Sequence, residues 1–184
     1  MKHSHIYLML LLAMLLPNMT NQASLAANLN RSYPEVTWEK LIPPNWDPDK
    51  FFKGLDLSKL QDGDPRALEA MIKSQKYWEE APANRSLQGK TIKISGYLVS
   101  LDFADDAELK EFLLVPYFGA CIHIPPPPAN QIIHVTLEKP SKGIRTMDEV
   151  TVYGTLAIEK TKNDMGGSGY SMKADAVEPY VEKK

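Results

Sequence analysis

TIKISGYLVSL, residues 91–101, is the stretch that decides the fold, because its side chains follow the period of two that marks a strand. Ile92 and Ile94 alternate with polar residues until Gly96, where the apolar phase shifts to Tyr97. A glycine at a phase shift predicts a bulge or a sharp bend inside a long strand. The stretch is therefore typical of a strand that helps to close a small barrel.

Four further segments are predicted to be strands, and the third of them also has an internal glycine, Gly154. Five short strands, two of them bent at glycine, predict a mainly β fold, a small OB-like five-stranded barrel. A small antiparallel sandwich is the alternative. NDMGGSG, residues 163–169, is predicted to be the turn before the last strand. The four further segments are EFLLVPYF (111–118), QIIHVTLE (131–138), EVTVYGTLAIE (149–159) and GYSMKADAVEPY (169–180).

One α-helix is predicted before the barrel, over residues 64–79. Asp64 is a good N-cap, and Pro65 occupies the first helical position, where its missing N–H costs nothing. Pro82 follows the helix and stops it. Apolar residues at spacings of three and four predict the face that packs on the core. That face consists of Leu68, Met71, Ile72, Gln75 and Trp78.

The N-terminal part of the chain divides into an export signal and an arm. Residues 1–26 contain IYLMLLLAMLLP, an apolar run of signal-peptide length, followed by the small residues Ser24 and Ala26 at the positions before cleavage. A membrane anchor is the alternative, but the run is short for a membrane span. Residues 27–63 hold four prolines and two tryptophans, which indicates an extended arm. The domain proper is then 64–184.

The arm is expected to pack on the domain through apolar side chains, because disordered segments are poor in aromatic residues. A docking strip for a partner protein is the alternative. The residues expected to pack are Trp38, Leu41 and Trp46.

Charge and cysteine content narrow the function classes. Removal of residues 1–26 takes away Lys2 and leaves 20 basic and 23 acidic side chains, a net charge of −3. That balance gives no reason to expect nucleic acid or an anionic membrane as a partner. Cys121 is the only cysteine of the chain. A lone cysteine in an exported protein is a buried hydrophobe, a metal ligand, a reactive thiol or a bond to another chain.

The motif GACIHIPPPPANQ, residues 119–131, surrounds that cysteine. In an extended chain Cys121 and His123 point to the same side. Pro125 to Pro128 then form a polyproline II segment of about 12 Å, at ~3.1 Å per residue, which holds the loop open. His134 follows in the third predicted strand, on the face opposite to that of Ile133, Val135 and Leu137. Both histidines that remain after signal removal thus lie within 14 residues of the cysteine.

A thiolate and two imidazoles suit zinc, with copper as the alternative, and three protein ligands plus an open position are a familiar zinc arrangement. Cys121, His123 and His134 are therefore the candidate metal ligands, although their spacing matches no standard zinc motif. A purely structural loop is one alternative, in which Asn130 and Gln131 bind backbone groups that the prolines leave unpaired. Thiol chemistry is the other, with a histidine activating the cysteine.

Three stretches carry a resemblance to a known family. FLLVPYFGACIHIPPPPANQIIHV, GKTIKISGYLVSL and WEKLIPPNW together resemble an uncharacterised family of exported bacterial proteins, a domain of unknown function with a GACIHxPPPPxNQ core. The resemblance covers most of the mature chain and implies an envelope location. It also implies that the gene lies near genes of ABC-type envelope transport systems, some of them zinc-responsive. Some relatives are lipoproteins, but no lipidated cysteine is present here. The motif carries over to Gly119, Ala120, Cys121, His123, Pro125, Pro126, Pro127, Pro128, Asn130 and Gln131.

The sequence therefore predicts a soluble periplasmic protein whose mature chain does not span the membrane. The predicted function is that of a transition-metal-binding accessory or sensor of an envelope transport system, with zinc before copper and a possible ABC-type transporter as partner. The alternative is a non-catalytic adaptor that contacts a membrane protein through the proline loop and the arm. A thiol-dependent enzyme is the third interpretation.

Overall fold

Five strands close into a barrel, which confirms the mainly β, OB-like five-stranded fold. The structure is a computed structural model that describes residues 32–56, 59, 63–101, 108–120, 126–163 and 166–182. Two short strands form a separate hairpin in the region predicted to be a turn. The barrel strands are β1 Thr91–Ser100, β2 Leu109–Val115, β3 Ile133–Ser141, β4 Glu149–Ala157 and β7 Tyr170–Pro179, and the hairpin strands are β5 Thr161–Asn163 and β6 Gly166–Ser168.

The strand order around the barrel is β1-β2-β3-β7-β4, and β4 pairs back with β1. All neighbours are antiparallel except β3 and β7, which run parallel and make the barrel mixed. Closure leaves no room for the antiparallel sandwich considered as the alternative. The ends of β2 and β4 and the starts of β1, β3 and β7 lie at one end of the barrel, where the long β2–β3 connection also begins and ends.

The two glycines that suggested bending are both places of close approach, but only one lies at a register shift. The β4–β7 pairing shifts between Tyr153 and Gly154, where a Cβ would meet the backbone of Lys173. The β1–β4 pairing, in contrast, runs unbroken through Gly96, so of the bulge or bend predicted there this pairing shows no bulge. The apolar pattern shifts phase there because β1 is apolar on both faces beyond Gly96. Leu98 faces the inside of the barrel, whereas Tyr97 and Val99 face a second cluster on the outside.

The hydrophobic core lies inside the barrel and is filled from every strand. Ile92, Phe112, Val135, Val152 and Met172 all belong to this inner cluster and are almost fully buried. A smaller cluster, called here the outer cluster, covers the outside of β1 and β2 near the start of the β2–β3 connection. The outer cluster consists of Val99, Leu113, Val115, Ala120 and Ile132.

The helix α2, Pro65–Glu79, begins where the sequence predicted, with Asp64 as N-cap accepting a 2.9 Å hydrogen bond from the Arg66 amide. Its predicted core face is wrong. The structure buries Ala70 and Ser74 instead. The end of the helix packs with the turn at residues 129–131, since Tyr77 and Trp78 belong to one cluster with Ala129. Of the predicted face, Trp78 is half-buried, Gln75 is exposed, and the exposed fractions of Leu68, Met71 and Ile72 are 51%, 42% and 61%.

The described part of the arm packs on the barrel as expected. The short helix α1, Trp38–Leu41, follows a parallel bridge between Glu35 and Lys93 of β1. The Trp38 indole donates a 2.7 Å hydrogen bond to the Ser95 carbonyl. Leu41 is fully buried in the inner cluster and Trp46 is nearly so, next to α2. The predicted signal, residues 1–26, lies outside the described residues.

No helix in the described ranges combines the length and apolar character needed to cross a membrane.

Candidate functional site

His134 lies on the outer face of β3, as the alternation of the sequence predicted. Ile133 and Val135 point into the barrel, and the even-numbered residues between and after them point out. His134 is opposite Leu113 of β2 and Ser171 of β7. Its side chain is only 17% exposed. The imidazole therefore lies in a sheltered position on the β2–β3 face, the face on which OB folds commonly bind ligands.

Glu111 is the direct partner of this histidine. Its carboxylate Oε2 lies 3.1 Å from the Nε2 atom of His134. Because a carboxylate only accepts, the Nε2 atom must carry the hydrogen, and a neutral ring then keeps the lone pair on Nδ1. Sequence reasoning missed Glu111, since its place beside His134 depends on the β2–β3 register.

Cys121, His123 and Pro125 lie outside the described residues, so the structure places one of the three predicted metal ligands. Within the described ranges, no three His, Cys, Asp or Glu side chains form a group that can hold a metal ion. The residue before Cys121, however, lies near His134. Ala120 is buried in the outer cluster together with Leu113, the residue opposite His134. Ala120 thus lies beside the face that carries His134.

The rest of the proline motif is tied firmly to its surroundings. Gly119 has a φ of 77°, a left-handed conformation that favours glycine. Pro128 has φ −55° and ψ 146°, which are close to polyproline II values. Pro127 is buried, while Pro126 and Pro128 are half-buried.

The two amides after the prolines bind backbone carbonyls of other segments, and not those of the prolines. Asn130 is fully buried and donates from Nδ2 to the Pro82 carbonyl at 3.0 Å. Gln131 donates from Nε2 to the Trp38 carbonyl at 3.0 Å. Asn130 and Gln131 therefore hold the loop against the arm and the segment after α2. Their amide groups are used for positioning the loop.

A cleft of about 390 Å³ borders the proline segment at the same end of the barrel. One wall contains Pro126 and Pro127, and the opposite wall contains Thr161 and Ser168 of the β5–β6 hairpin. The Ser168 and Thr161 hydroxyls are 2.6 Å apart. Sequence reasoning missed the cleft because the hairpin strands have only three residues each, too few to show an alternation of apolar and polar side chains.

Two exposed aromatic residues precede the motif. The exposed fractions of Tyr117 and Phe118 are 53% and 63%, and the Phe118 ring meets the edge of Tyr97 at 5.9 Å between centroids. The sequence placed both in the second strand, but β2 ends at Val115. Pro116 and Gly119, which flank the pair, are the signal that marks the earlier end.

The comparisons with known proteins agree on one family. The family model described as "Protein of unknown function (DUF3299)" matches residues 38–179. The crystal structure of a DUF3299 family protein from Pseudomonas aeruginosa PAO1 is similar over 84% of this chain and 100% of that one, with 31% identity and a TM-score of 0.63. A search of curated proteins gave no match. The chain therefore belongs to the DUF3299 family, a domain of unknown function, as its resemblance implied.

Proposed function

We propose that this protein binds a transition metal, zinc before copper, through Cys121, His123 and His134. We further propose that it acts in the periplasm as an accessory protein of an envelope transport system. The observation that carries the proposal is the sheltered imidazole of His134 on the β2–β3 face, with the Glu111 carboxylate 3.1 Å from its Nε2 atom.

The pair has the chemistry of a metal-binding imidazole. Histidines that bind metal usually donate their other ring N–H to a carboxylate, which fixes the tautomer and orients the ring. Glu111 occupies that position on Nε2, so Nδ1 of His134 is the nitrogen available to the metal. A thiolate and two imidazoles give a donor set that suits zinc and also copper.

The anchoring of the loop supports the proposed meeting of the three ligands. Ala120, the residue before Cys121, and Ile132, the residue after the motif, are both buried in the outer cluster with Leu113. Leu113 is opposite His134 in the β2–β3 ladder. The residue before Cys121 is therefore anchored beside the face that carries His134.

The periplasmic location and the transport partner rest on the sequence. The apolar run in residues 1–26 is typical of a signal peptide. The ABC-type transporter is the partner that the family resemblance implies.

Zinc titration of the purified protein, in competition with a chromogenic chelator, tests the proposal. Cys121→Ser and His134→Ala should each lower zinc affinity by about tenfold or more. Thr136→Ala is the control, because Thr136 lies on the same face of β3 but is exposed. Ligation needs neutral imidazoles and a thiolate, so affinity should also fall at acidic pH. Equal zinc affinity in the native protein and both ligand variants would contradict the proposal.

A second titration tests the role given to Glu111. Glu111→Gln should weaken zinc binding about tenfold, the lower end of the range for partners that orient a metal ligand. Glu138→Gln is the matched control, since it removes an exposed carboxylate from the neighbouring strand. Equal losses in the two variants would mean that Glu111 acts only through general charge.

An adaptor is the second candidate function, and the exposed pair Tyr117 and Phe118 favours it. Contiguous exposed apolar surface often marks a site of protein–protein interaction. A photo-crosslinking residue at position 118 should then capture a subunit of the envelope transporter. The same residue at Ile72, which is exposed on α2, is the control. Equal crosslinking at both positions, or none at 118, would contradict the adaptor role.

A further inference from the structure

A second concave surface lies on the outside of the barrel, away from the β2–β3 face. It is a cleft of about 350 Å³ over β1, β4 and the end of β7. We call it the tyrosine cleft. Its lining includes Lys93, Ser95, Thr151, Tyr153, Glu178 and Tyr180.

The floor of the tyrosine cleft is built from paired polar groups. The hydroxyls of Ser95 and Thr151, which are opposite each other in the β1–β4 ladder, lie 2.8 Å apart. The Tyr153 hydroxyl donates to Glu178 at 3.1 Å. Tyr33 of the arm meets the Tyr153 ring edge-on at 5.4 Å between centroids. These contacts hold the rings and hydroxyls in place, so the surface is largely preformed.

Negative charge dominates the lining. Glu35, Glu178 and Glu182 line the cleft, and among the described lining residues Lys93 is the only cation. Lys93 already pairs with Glu35 at 3.3 Å. The pKa of Tyr153 is raised by burial first and then by its hydrogen bond to Glu178 and the charges of Glu178 and Glu35. A positively charged group is therefore the ligand that this potential attracts.

The aromatic rings distinguish this surface from an ordinary solvated acidic face. A lysine or arginine is attracted to the face of a tyrosine ring as well as to a carboxylate. At the next positions along the same ladder, Tyr97 donates to Glu149 at 3.4 Å, and the charge of Glu149 raises the pKa of Tyr97. Two tyrosine–carboxylate pairs thus lie on the outer face of the same sheet.

Apolar residues at the rim indicate a peptide as the occupant. The exposed fractions of Tyr180 and Val181 are 41% and 78%, and both line the cleft. A small polyamine would use the carboxylates but would leave this apolar rim uncovered. A protein segment with an apolar residue beside its cations uses both. We propose that the tyrosine cleft is a docking site for a lysine- or arginine-bearing segment of a partner protein.

A peptide titration followed by NMR of the isotope-labelled protein tests the proposal. The probe is a blocked pentapeptide with two lysines and a leucine. Amide shifts should cluster at Lys93, Thr151, Tyr153 and Glu178, and added salt should weaken the binding. The same peptide with glutamates in place of lysines should cause no shifts. Shifts spread over the whole acidic surface, or equal binding of spermidine, would overturn the proposal.

Two variants separate ring from charge. Tyr153→Leu with Glu178→Gln should weaken binding of the lysine peptide by about tenfold, through the combined loss of one cation–π contact and one ion pair. Glu178→Gln with Glu182→Gln keeps every ring and should cause a smaller loss, which guards against a folding defect in the first variant. Glu138→Gln, on β3, is the control. Equal binding by the native protein and the first variant would overturn the proposal.

Discussion

Replacement of Tyr170 by phenylalanine should destabilise the protein strongly, because one hydroxyl joins three parts of the fold. Tyr170 of β7 is fully buried. Its hydroxyl donates to the Leu41 carbonyl at 2.7 Å and accepts from the Asn84 amide at 2.6 Å. The arm and the segment before β1 are thus bound to the barrel at a single oxygen atom.

The expected size follows from what the deletion leaves unpaired. Tyr170→Phe keeps the ring and its packing, but both backbone groups lose their partner. An unpaired buried polar group costs about 1–3 kcal/mol. Leu41 is fully buried, whereas Asn84 is half-buried and regains some water. The free energy of unfolding should therefore fall by about 2–4 kcal/mol.

Tyr153→Phe is the matched control. It deletes the same atom from a half-buried ring whose hydroxyl donates to the exposed Glu178. Water replaces that contact, so the change should stay within about 0.5 kcal/mol. Urea unfolding followed by tryptophan fluorescence measures both variants, provided that the m-values agree. A loss below about 1 kcal/mol for Tyr170→Phe, or equal losses in the two variants, would refute the reasoning.

The same hydroxyl should also shape stability at alkaline pH. Burial raises the pKa of Tyr170 above its usual 10.0, against a smaller lowering by the Asn84 amide. The folded state then keeps the proton longer than the unfolded state, so the stabilisation is complete below pH 10 and is lost as pH rises through the raised pKa. The gap in unfolding free energy between native protein and Tyr170→Phe should therefore narrow above pH 10. A constant gap would contradict this.

Three other perturbations test separate parts of the fold and the site. Gly154→Ala should lower the free energy of unfolding by about 1–3 kcal/mol, since its Cβ meets the β7 backbone, whereas Gly167→Ala, with its nearest atom at 3.6 Å, should be nearly neutral in urea unfolding. The Arg66 side chain and amide lower the pKa of Asp64 to about 2. The stabilisation of α2 by the Asp64 carboxylate is therefore complete above pH 3.8 and is lost as pH falls through about 2. Circular dichroism should show that the helix signals of the native protein and of Asp64→Ala become equal over this range. Cys121 should react with maleimide in the folded, metal-free protein; labelling only after denaturation would contradict both the ligand and the nucleophile interpretations.

The barrel strands were predictable because a filled interior forces alternate residues of each strand to be apolar. β3 shows this well, since Ile133, Val135 and Leu137 face inward as the pattern indicated. The pattern fails where a strand has cover on both sides. In β1 both Leu98 and Val99 are apolar, because Leu98 packs inside the barrel and Val99 packs in the outer cluster. The sequence of one strand does not show that a second cluster exists.

The helix was predictable in its limits but not in its orientation. Asp64 and Pro65 mark its start through local chemistry that needs no partner. Which stripe is buried depends on the neighbour. The structure buries the small residues Ala70 and Ser74 and leaves the apolar Ile72 in solvent. Hydrophobic periodicity does not show which elements pack against a helix or how closely they approach it.

Predicting the pairing of His134 with Glu111 needs both the local sequence of β3 and the register between β2 and β3. The face of His134 follows from where β3 begins, but the position of Glu111 depends on how β2 pairs with β3. From Leu114, opposite Ile133, the register runs regularly to Glu111, opposite Thr136, which places Glu111 diagonal to His134. The register shifts only beyond Glu111, before Leu109 pairs with Ser141.

Pro140 explains why the register shifts at this point. Proline has no N–H to donate to the ladder, so inside a sheet it is confined to edges and bulges. Pro140 lies between Thr136 and Ser141, in the segment of β3 that the shift leaves out of step with β2. The regular pairing that places Glu111 diagonal to His134 therefore ends before Pro140. The apolar pattern of β3 does not show which residues of β2 it faces, so the pairing of His134 with Glu111 could not be predicted from the sequence.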